Sequence, residues 1–449
     1  MNISIKAGIL PVALLNTVAI TAANDSIVWK RQVYSTGHVR FRQEVLASPA
    51  MRNYLHTPSI SEFSVYATTE PAAAARIPQL GRGGKQFGME ASSFQQLGAN
   101  SVVWGKASYQ NGKKYDVTWN ETSDFLLLYP YVMGDAKGGD QNYESYRLDG
   151  GYSTRHGKTC YGVDLGYRTL SEYRDRDPRP NNTVADLYAQ GGIGLNIWGS
   201  YSVALTATAG KYKQTNELAF YNELGTQMVY HLTGIGNDFT RFSGQGKNCF
   251  YKGYSIGAEI SMASKETTGW SASAGYLFTR KEKVLTDLNR LPLNRLEVNS
   301  LDGAVGYNNE DYGVRLTGNI AQRKGIDNLF GDATGNIYPQ IGSRKQYDGK
   351  IKKIKAEGFW NVNWTEKTDV NIEPEIACAS FKNSHHTSGN LLKSSDLTMG
   401  VTASIVHANA KNMVCAKAKI RRRENLAARL DILNSATLLS IKLFKYLSN

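Results

Sequence analysis

Cysteine is scarce in this chain. Four in 449 residues, Cys160, Cys249, Cys378 and Cys415, stand at no metal or redox spacing and read as incidental to the fold. Proline is scarce too, at 11, and no Pro/Ser-rich stretch, long run of like charge or shift in composition marks a domain boundary. No segment reaches the roughly 18 apolar residues that a membrane-spanning helix needs. Signs of chemistry are equally thin. His156, His231 and His407 are isolated in sequence, and His385-His386 lies in a Ser/Asn-rich stretch with no carboxylate or Cys at ligand spacing. Gly191, Gly192 and Gly194 continue an extended segment instead of opening a helix, which argues against a nucleotide loop. No catalytic residue, metal or cofactor is therefore expected.

What the chain has is Gly, 43 residues, and Tyr, 26, within a 10% aromatic composition typical of β structure. Its first 23 residues carry Lys6, an apolar core from Ala7 to Ile20 and then Thr21, Ala22 and Ala23, which predicts a secretory signal peptide. The net charge of +13 is spread through loops and turns. That suits solvated loops near an anionic membrane surface, and no nucleic-acid partner is expected.

The most regular stretch is Asp186 to Lys211. Leu187, Ala189, Gly191, Ile193, Leu195 and Ile197 share one face of its first arm, with Tyr188, Gln190, Gly192, Gly194 and Asn196 opposite. After Trp198-Gly199-Ser200, the apolar face resumes with Tyr201, Val203, Leu205, Ala207 and Ala209. A period of two predicts a hairpin. An apolar face edged by aromatics, backed by a small polar face, is the pattern of a membrane β-barrel, although one such hairpin also fits the edge of a soluble sandwich.

Repetition favours the barrel. Asn111-Gly112 predicts a turn between Ser101–Gln110 and Lys114–Asn120. Paired segments follow around Tyr146–Tyr152 and Tyr161–Tyr167, Tyr254–Met262 and Trp270–Phe278, Val305–Tyr307 and Tyr312–Ile320, Ile354–Trp364 and Val370–Ile372, and Met399–Ile405 and Val414–Ala418. Short turns within pairs alternate with long connections between them, at Glu121–Gln141, Ser171–Val184, Tyr212–Cys249, Lys281–Arg295, Lys324–Lys350 and Lys382–Ser395. Outer-membrane barrels keep that alternation because periplasmic turns are tight and extracellular loops extended. Tyr109, Tyr152, Tyr161, Trp198, Tyr201, Trp270, Tyr307, Tyr312 and Trp364 gather near the short turns as an interfacial girdle.

The sequence thus predicts an all-β fold, a transmembrane antiparallel up-and-down β-barrel of about 16 strands. Fifteen strands are counted from Ser101 if Thr437–Tyr446 is the last, and one of two upstream candidates, near Phe63 and Phe87, completes sixteen. The basic run from Arg421 reads alternatively as an amphipathic helix. Residues 1–23 are assigned to the signal peptide, 24–95 to an N-terminal segment with the first strand or strands, and 96–449 to the barrel. Residues 24–59 lack a period and suit either the periplasm or a small plug in the lumen.

Alternation turns Arg147, Asp149, Asp164, Arg168, Gln190, Asn196, Glu259, Arg315, Asn319, Lys355 and Glu357 inward. Such a lining either sets a field across a pore or forms a salt-bridged network that closes it. The run Glu172–Asn182 is the most distinctive loop. Its Arg174, Asp175, Arg176, Asp177 and Arg179 either bind an ionic ligand or pair among themselves.

The stretches LASPAMRNYL, LDGGYSTRHGKTCYGVDLGYR, RDRDPRPNN, TRFSGQGKNCFYKGYSIGAEIS and QYDGKIKKIKAEGFW occur in that order between about Leu46 and Ser380. Through them the chain resembles an uncharacterised family of outer-membrane β-barrels from Bacteroidota. Its opening is also similar to that of fatty-acid-transporter barrels, which begin with Asn-Pro-Ala and carry an N-terminal plug; Ser48-Pro49-Ala50 stands here. The resemblance implies architecture and a bacterial outer-membrane location, and brings no established activity. The expectation is a channel or transporter for a small polar or amphipathic solute. The alternative is a surface-binding or adhesion barrel acting through loop aromatics such as Phe220, Tyr221, Tyr230 and Phe239. Expected partners are outer-membrane lipid and the barrel-assembly machinery.

Overall fold

The computed structural model describes residues 16–21, 33, 36–55, 57–70, 77–221, 227–244, 248–335, 337–365, 367–408 and 412–431. Sixteen antiparallel strands form one sheet. They are β1 (Asn16–Thr21), β2 (Ile60–Glu70), β3 (Gly83–Leu97), β4 (Ser101–Val117), β5 (Gly139–His156), β6 (Thr159–Tyr173), β7 (Arg179–Ile197) and β8 (Tyr201–Ala219). After them come β9 (Cys249–Ser264), β10 (Gly269–Leu285), β11 (Leu291–Asn308), β12 (Tyr312–Phe330), β13 (Gln340–Thr365), β14 (Thr368–His385), β15 (Leu391–Ala408) and β16 (Asn412–Asp431). From β2 to β16 each strand pairs with its sequence neighbours, and β1 lies along β16. Among the described pairings none joins β2 to the far edge, so the ring of hydrogen bonds is open there.

From β3 onward connections at one end of the sheet span two to four residues, whereas those at the other span five to 29. The tight end owes its turns to residues that accept positive φ, as at Trp198 (41°) and Gly199 (60°). Along the strands, outward residues are apolar and exposed: Tyr161, Val163, Leu165 and Tyr167 on β6, Tyr254, Ile256 and Ile260 on β9, and Val314, Leu316 and Ile320 on β12. From Trp270 to Phe278 this band is about 27 Å long measured along the strand, enough to cross a hydrocarbon core. An apolar exterior over a polar interior is stable only with lipid outside.

The sheet is curled. Helix α1 (Gly37–Val45) is capped by Thr36, whose hydroxyl accepts from Val39 N, and a 3-10 turn follows at Pro49–Tyr54. Ala50 abuts Gly192 of β7, while Arg40 is paired with Glu373 of β14. These strands lie seven sheet positions apart, about 34 Å on a flat sheet, yet α1 is only about 14 Å long. Only a sheet wrapped around this segment meets it on both sides. The architecture is therefore an up-and-down transmembrane β-barrel with residues 36–55 inside it.

Several sequence expectations are corrected. Asn111-Gly112 is no turn: β4 runs unbroken through it, because Gly112 lets the Tyr143 ring pack where a Cβ would come within 2.6 Å of it. Thr118–Asn120 leave the strand and Trp119 is buried in the connection instead. Among the described residues thirteen strands of this sheet follow from Ser101, one fewer than the fourteen expected over that stretch because Ser101–Gln110 and Lys114–Asn120 are a single strand, and both upstream candidates join the sheet. Asn16–Thr21, inside the expected signal peptide, is extended along β16; its β-branched, apolar sequence suits an open edge. The rest of residues 1–23 lies outside the described residues, as does the expected strand Thr437–Tyr446. Arg421–Asp431 belongs to β16 and is not helical. Tyr109 is in mid-strand, its ring 5.0 Å from Tyr146, away from the short turns. The connections 174–178, 286–290, 331–339 and 386–390 are shorter than predicted because strands extend through the long intervals.

Candidate functional site

The lumen is built in three tiers. At the short-turn end it holds the N-terminal segment. The Ser48 hydroxyl lies 2.8 Å from that of Thr206, Tyr54 OH donates to Asn196 Oδ1 at 2.6 Å, and the Arg52 guanidinium stacks 4.6 Å from the Trp104 ring centre. Arg42 donates to Ser264 O at 3.1 Å and Tyr54 O at 3.0 Å. Burial holds the Arg42 guanidinium down to about 10. Glycine makes this seat: a Cβ on Gly162 would fall 2.2 Å from the Pro49 carbonyl carbon.

At the other end, residues 118–138 and 227–244 fold inward. Met133–Gly134 pairs with Tyr230–Gly234, which continues to Asn237–Asp238, giving a three-stranded sheet. Phe125, Leu128, Val132, Met133, Leu232 and Phe242 form its apolar core with inward residues of the wall. The connection is anchored on opposite walls: Arg168 of β6 grips Asp124 at 3.0 and 2.6 Å, and Arg323 of β12 donates to the carbonyls of Leu126, Leu127 and Tyr129.

Between these tiers lies the belt of inward polar residues. Arg147 forks onto Asp149 at 2.7 and 3.0 Å, and Lys355 pairs with Glu357 two residues on along the same strand. Asp164 accepts from Trp104 Nε1 at 2.8 Å, and Tyr188 OH lies 3.0 Å from both Asp149 and Asp164. Gln190 donates to Thr208 Oγ1 at 3.2 Å, and Asn319 to Ser300 Oγ and Asp302 Oδ1 at 2.8 and 2.6 Å. Arg315 reaches Glu44 of α1 at 2.9 Å, while Glu259 stands in register between Thr206 and Gly275. Burial, with the charge of Glu357, raises Glu44 against the pull of Arg315. These pairs run along a wall or from wall to plug.

In the Glu172–Asn182 stretch, Arg174 is no ligand group. Its side chain is buried, donating to Glu121 Oε1 and Asp135 Oδ2, each at 2.8 Å, and to the carbonyls of Arg176 and Pro178. Asp175 accepts from Asn142 at 3.2 Å, and the Arg176 side chain is exposed. Asp177 accepts from Arg179 Nε and Tyr221 N, both at 2.8 Å, and the Arg179 guanidinium covers the Tyr221 ring at 4.1 Å. Sequence reasoning missed Glu121, Asp124 and Asp135, which fasten the inward connection. The signal was the apolar run FLLLYPYVM inside a long connection, unexpected for a solvated loop. His386, without a carboxylate nearby in sequence, meets Asp348 at 2.7 Å.

Fold and site define a transmembrane β-barrel whose lumen is occupied from both ends. The chain belongs to a family of unknown function, DUF6850, whose model matches residues 49–448. No curated protein matches the sequence. Among solved structures it is similar to the ferric preacinetobactin receptor BauA of Acinetobacter baumannii, at 8% identity over 81% of this chain and 77% of that one, with a TM-score of 0.35. It is similar also to CdiB from Escherichia coli, at 12% identity, 85% and 74% coverage and a TM-score of 0.35. The P. putida toluene transporter TodX matches at 8% identity, 85% and 93% coverage and a TM-score of 0.33.

Proposed function

We propose that the protein is a bacterial outer-membrane passage for a small polar or amphipathic solute, closed by its N-terminal segment and its inward connections. The observation that carries this reading is the polar belt between the two plugs. Arg147 with Asp149 and Lys355 with Glu357 pair along the wall, and Arg315 pairs with Glu44 of the plug, which lines the bore largely with neutralised ion pairs and amides while Leu126 and Leu127, 57% and 39% exposed, add an apolar patch beside it. The eleven inward residues from Arg147 to Glu357 line the bore in this reading, and no residue is assigned a catalytic role. A Bacteroidota source follows from the sequence resemblance alone.

Adhesion through loop aromatics has less support. Phe220, Tyr230 and Phe239 pack against the inward core, and Tyr221 is the one of the four that is largely exposed. Swelling of proteoliposomes in small sugars, amino acids and monoaromatics tests the reading. Solute-dependent swelling supports it, and its absence from a variant that both lacks residues 24–59 and carries Arg174→Met, with insertion demonstrated, overturns it.

A further inference from the structure

We propose that the outer wall over β13–β16 binds a phosphorylated lipid headgroup of the leaflet on the long-connection side. Strand register places Lys350 opposite Lys382, Lys382 opposite Lys393, and Lys393 opposite Arg429. All four are exposed. Lys350, Lys382 and Lys393 share the alternation of Ile354, Ile376 and Met399, which face outward on the same strands. The row is about 14 Å wide, three interstrand steps.

Like charges directly opposite one another weaken a sheet, and a covering polyanion removes that penalty. For the three lysines the wall itself supplies little compensation. On β12 the partner of Lys350 is Gln322. Asp348 already meets Lys345 at 2.6 Å and His386 at 2.7 Å, and Glu424 meets Arg422 at 2.5 Å. Four residues from each lysine toward the short turns the apolar face begins, with Ile354, Cys378 and Leu397. A headgroup on the row therefore lays its acyl chains on that face. The opposite edge of the same strands carries Val362, Val370, Ile405 and Ala416 in register, an apolar row where the long-connection edge has a basic one, which favours one leaflet for the site.

The inference needs a barrel in a membrane and is independent of whether the lumen conducts. Its test uses the full chain in zwitterionic detergent, with native mass spectrometry reading retained lipid A, a bisphosphorylated glycolipid. The wild type is expected to retain lipid A and not phosphatidylcholine, and millimolar inorganic phosphate should not displace it. K350Q/K382Q/K393Q should weaken retention at least tenfold. K211Q/K213Q/K252Q, on β8 and β9, should leave it unchanged. If the triple variant does not fold, the single K382Q is expected to weaken retention severalfold. Undiminished retention by the folded variant, equal loss in the β8/β9 control, or displacement by free phosphate would each overturn the site.

Discussion

Arg174 donates to Asp135 at 2.8 Å with both side chains closed to solvent, tying the connection 174–178 to the inward-folded connection 118–138. Removing the guanidinium strands the buried carboxylates of Asp135 and Glu121, a loss worth about 3–5 kcal/mol for a buried pair. Arg174→Met is therefore expected to release residues 118–138 while the sheet stays intact. Limited proteolysis from the long-connection side should cut that segment in the variant and spare it in the wild type.

Acid should hold the same connection more firmly than alkali. Burial, then the hydrogen bond and charge of Asp135, push Glu121 well above its ordinary 4.5 against the pull of Arg174. Its folded form keeps a proton that the released form gives up, so this contribution is full below about 4.5 and is lost as pH rises through the raised value. Asp135 runs the other way. Although burial opposes it, hydrogen bonds from Glu121, Arg174 and the Gly138 N–H hold Asp135 below 3.8, so its contribution fades only in stronger acid. The protection factors of residues 118–138 against hydrogen exchange, taken relative to the intrinsic rate at each pH, should fall from pH 5 to pH 9. Glu121→Gln should flatten that slope.

The N-terminal segment depends on the bare backbone beneath it. With Pro49 only 2.2 Å from where a Cβ would sit, Gly162→Val should unseat Pro49–Tyr54 at a cost of about 1–3 kcal/mol, the usual range for overpacking. A cysteine at position 50 should become accessible to a water-soluble maleimide in the variant and stay protected otherwise.

How much of this was legible in the sequence varies by tier. The wall was, because each strand repeats a period of two that lipid on one side and water on the other enforce. The assignment of the eleven inward residues follows from that period. The plugs were not. Helix α1 and the Pro49–Tyr54 turn have no period of their own, being set by Gly162, Gly192 and Thr206, more than 100 residues away. Asn111-Gly112 misled because its glycine serves a neighbouring tyrosine ring, a packing need that resembles turn chemistry. Arg174 looked like a surface charge because its partners, Glu121 and Asp135, come from another connection.

Arg52 fastens the N-terminal segment to Trp104, beside the Asp149 and Asp164 carboxylates. Arg52→Ala should lower the midpoint for release of the segment in urea, losing a cation–π contact of about 0.5–2 kcal/mol. Trp104→Leu should lower it similarly, and the double variant less than additively.

The central claim is that the lumen is a passage shut by residues 36–55 at one end and by 118–138 and 227–244 at the other. Single-channel conductance in a planar bilayer tests it most directly, comparing the wild type, a variant lacking residues 24–59, Arg174→Met, and the two changes combined. The account predicts a quiet wild type, brief openings in either single variant and steady conductance in the combination. A combined variant that inserts and stays silent would contradict it.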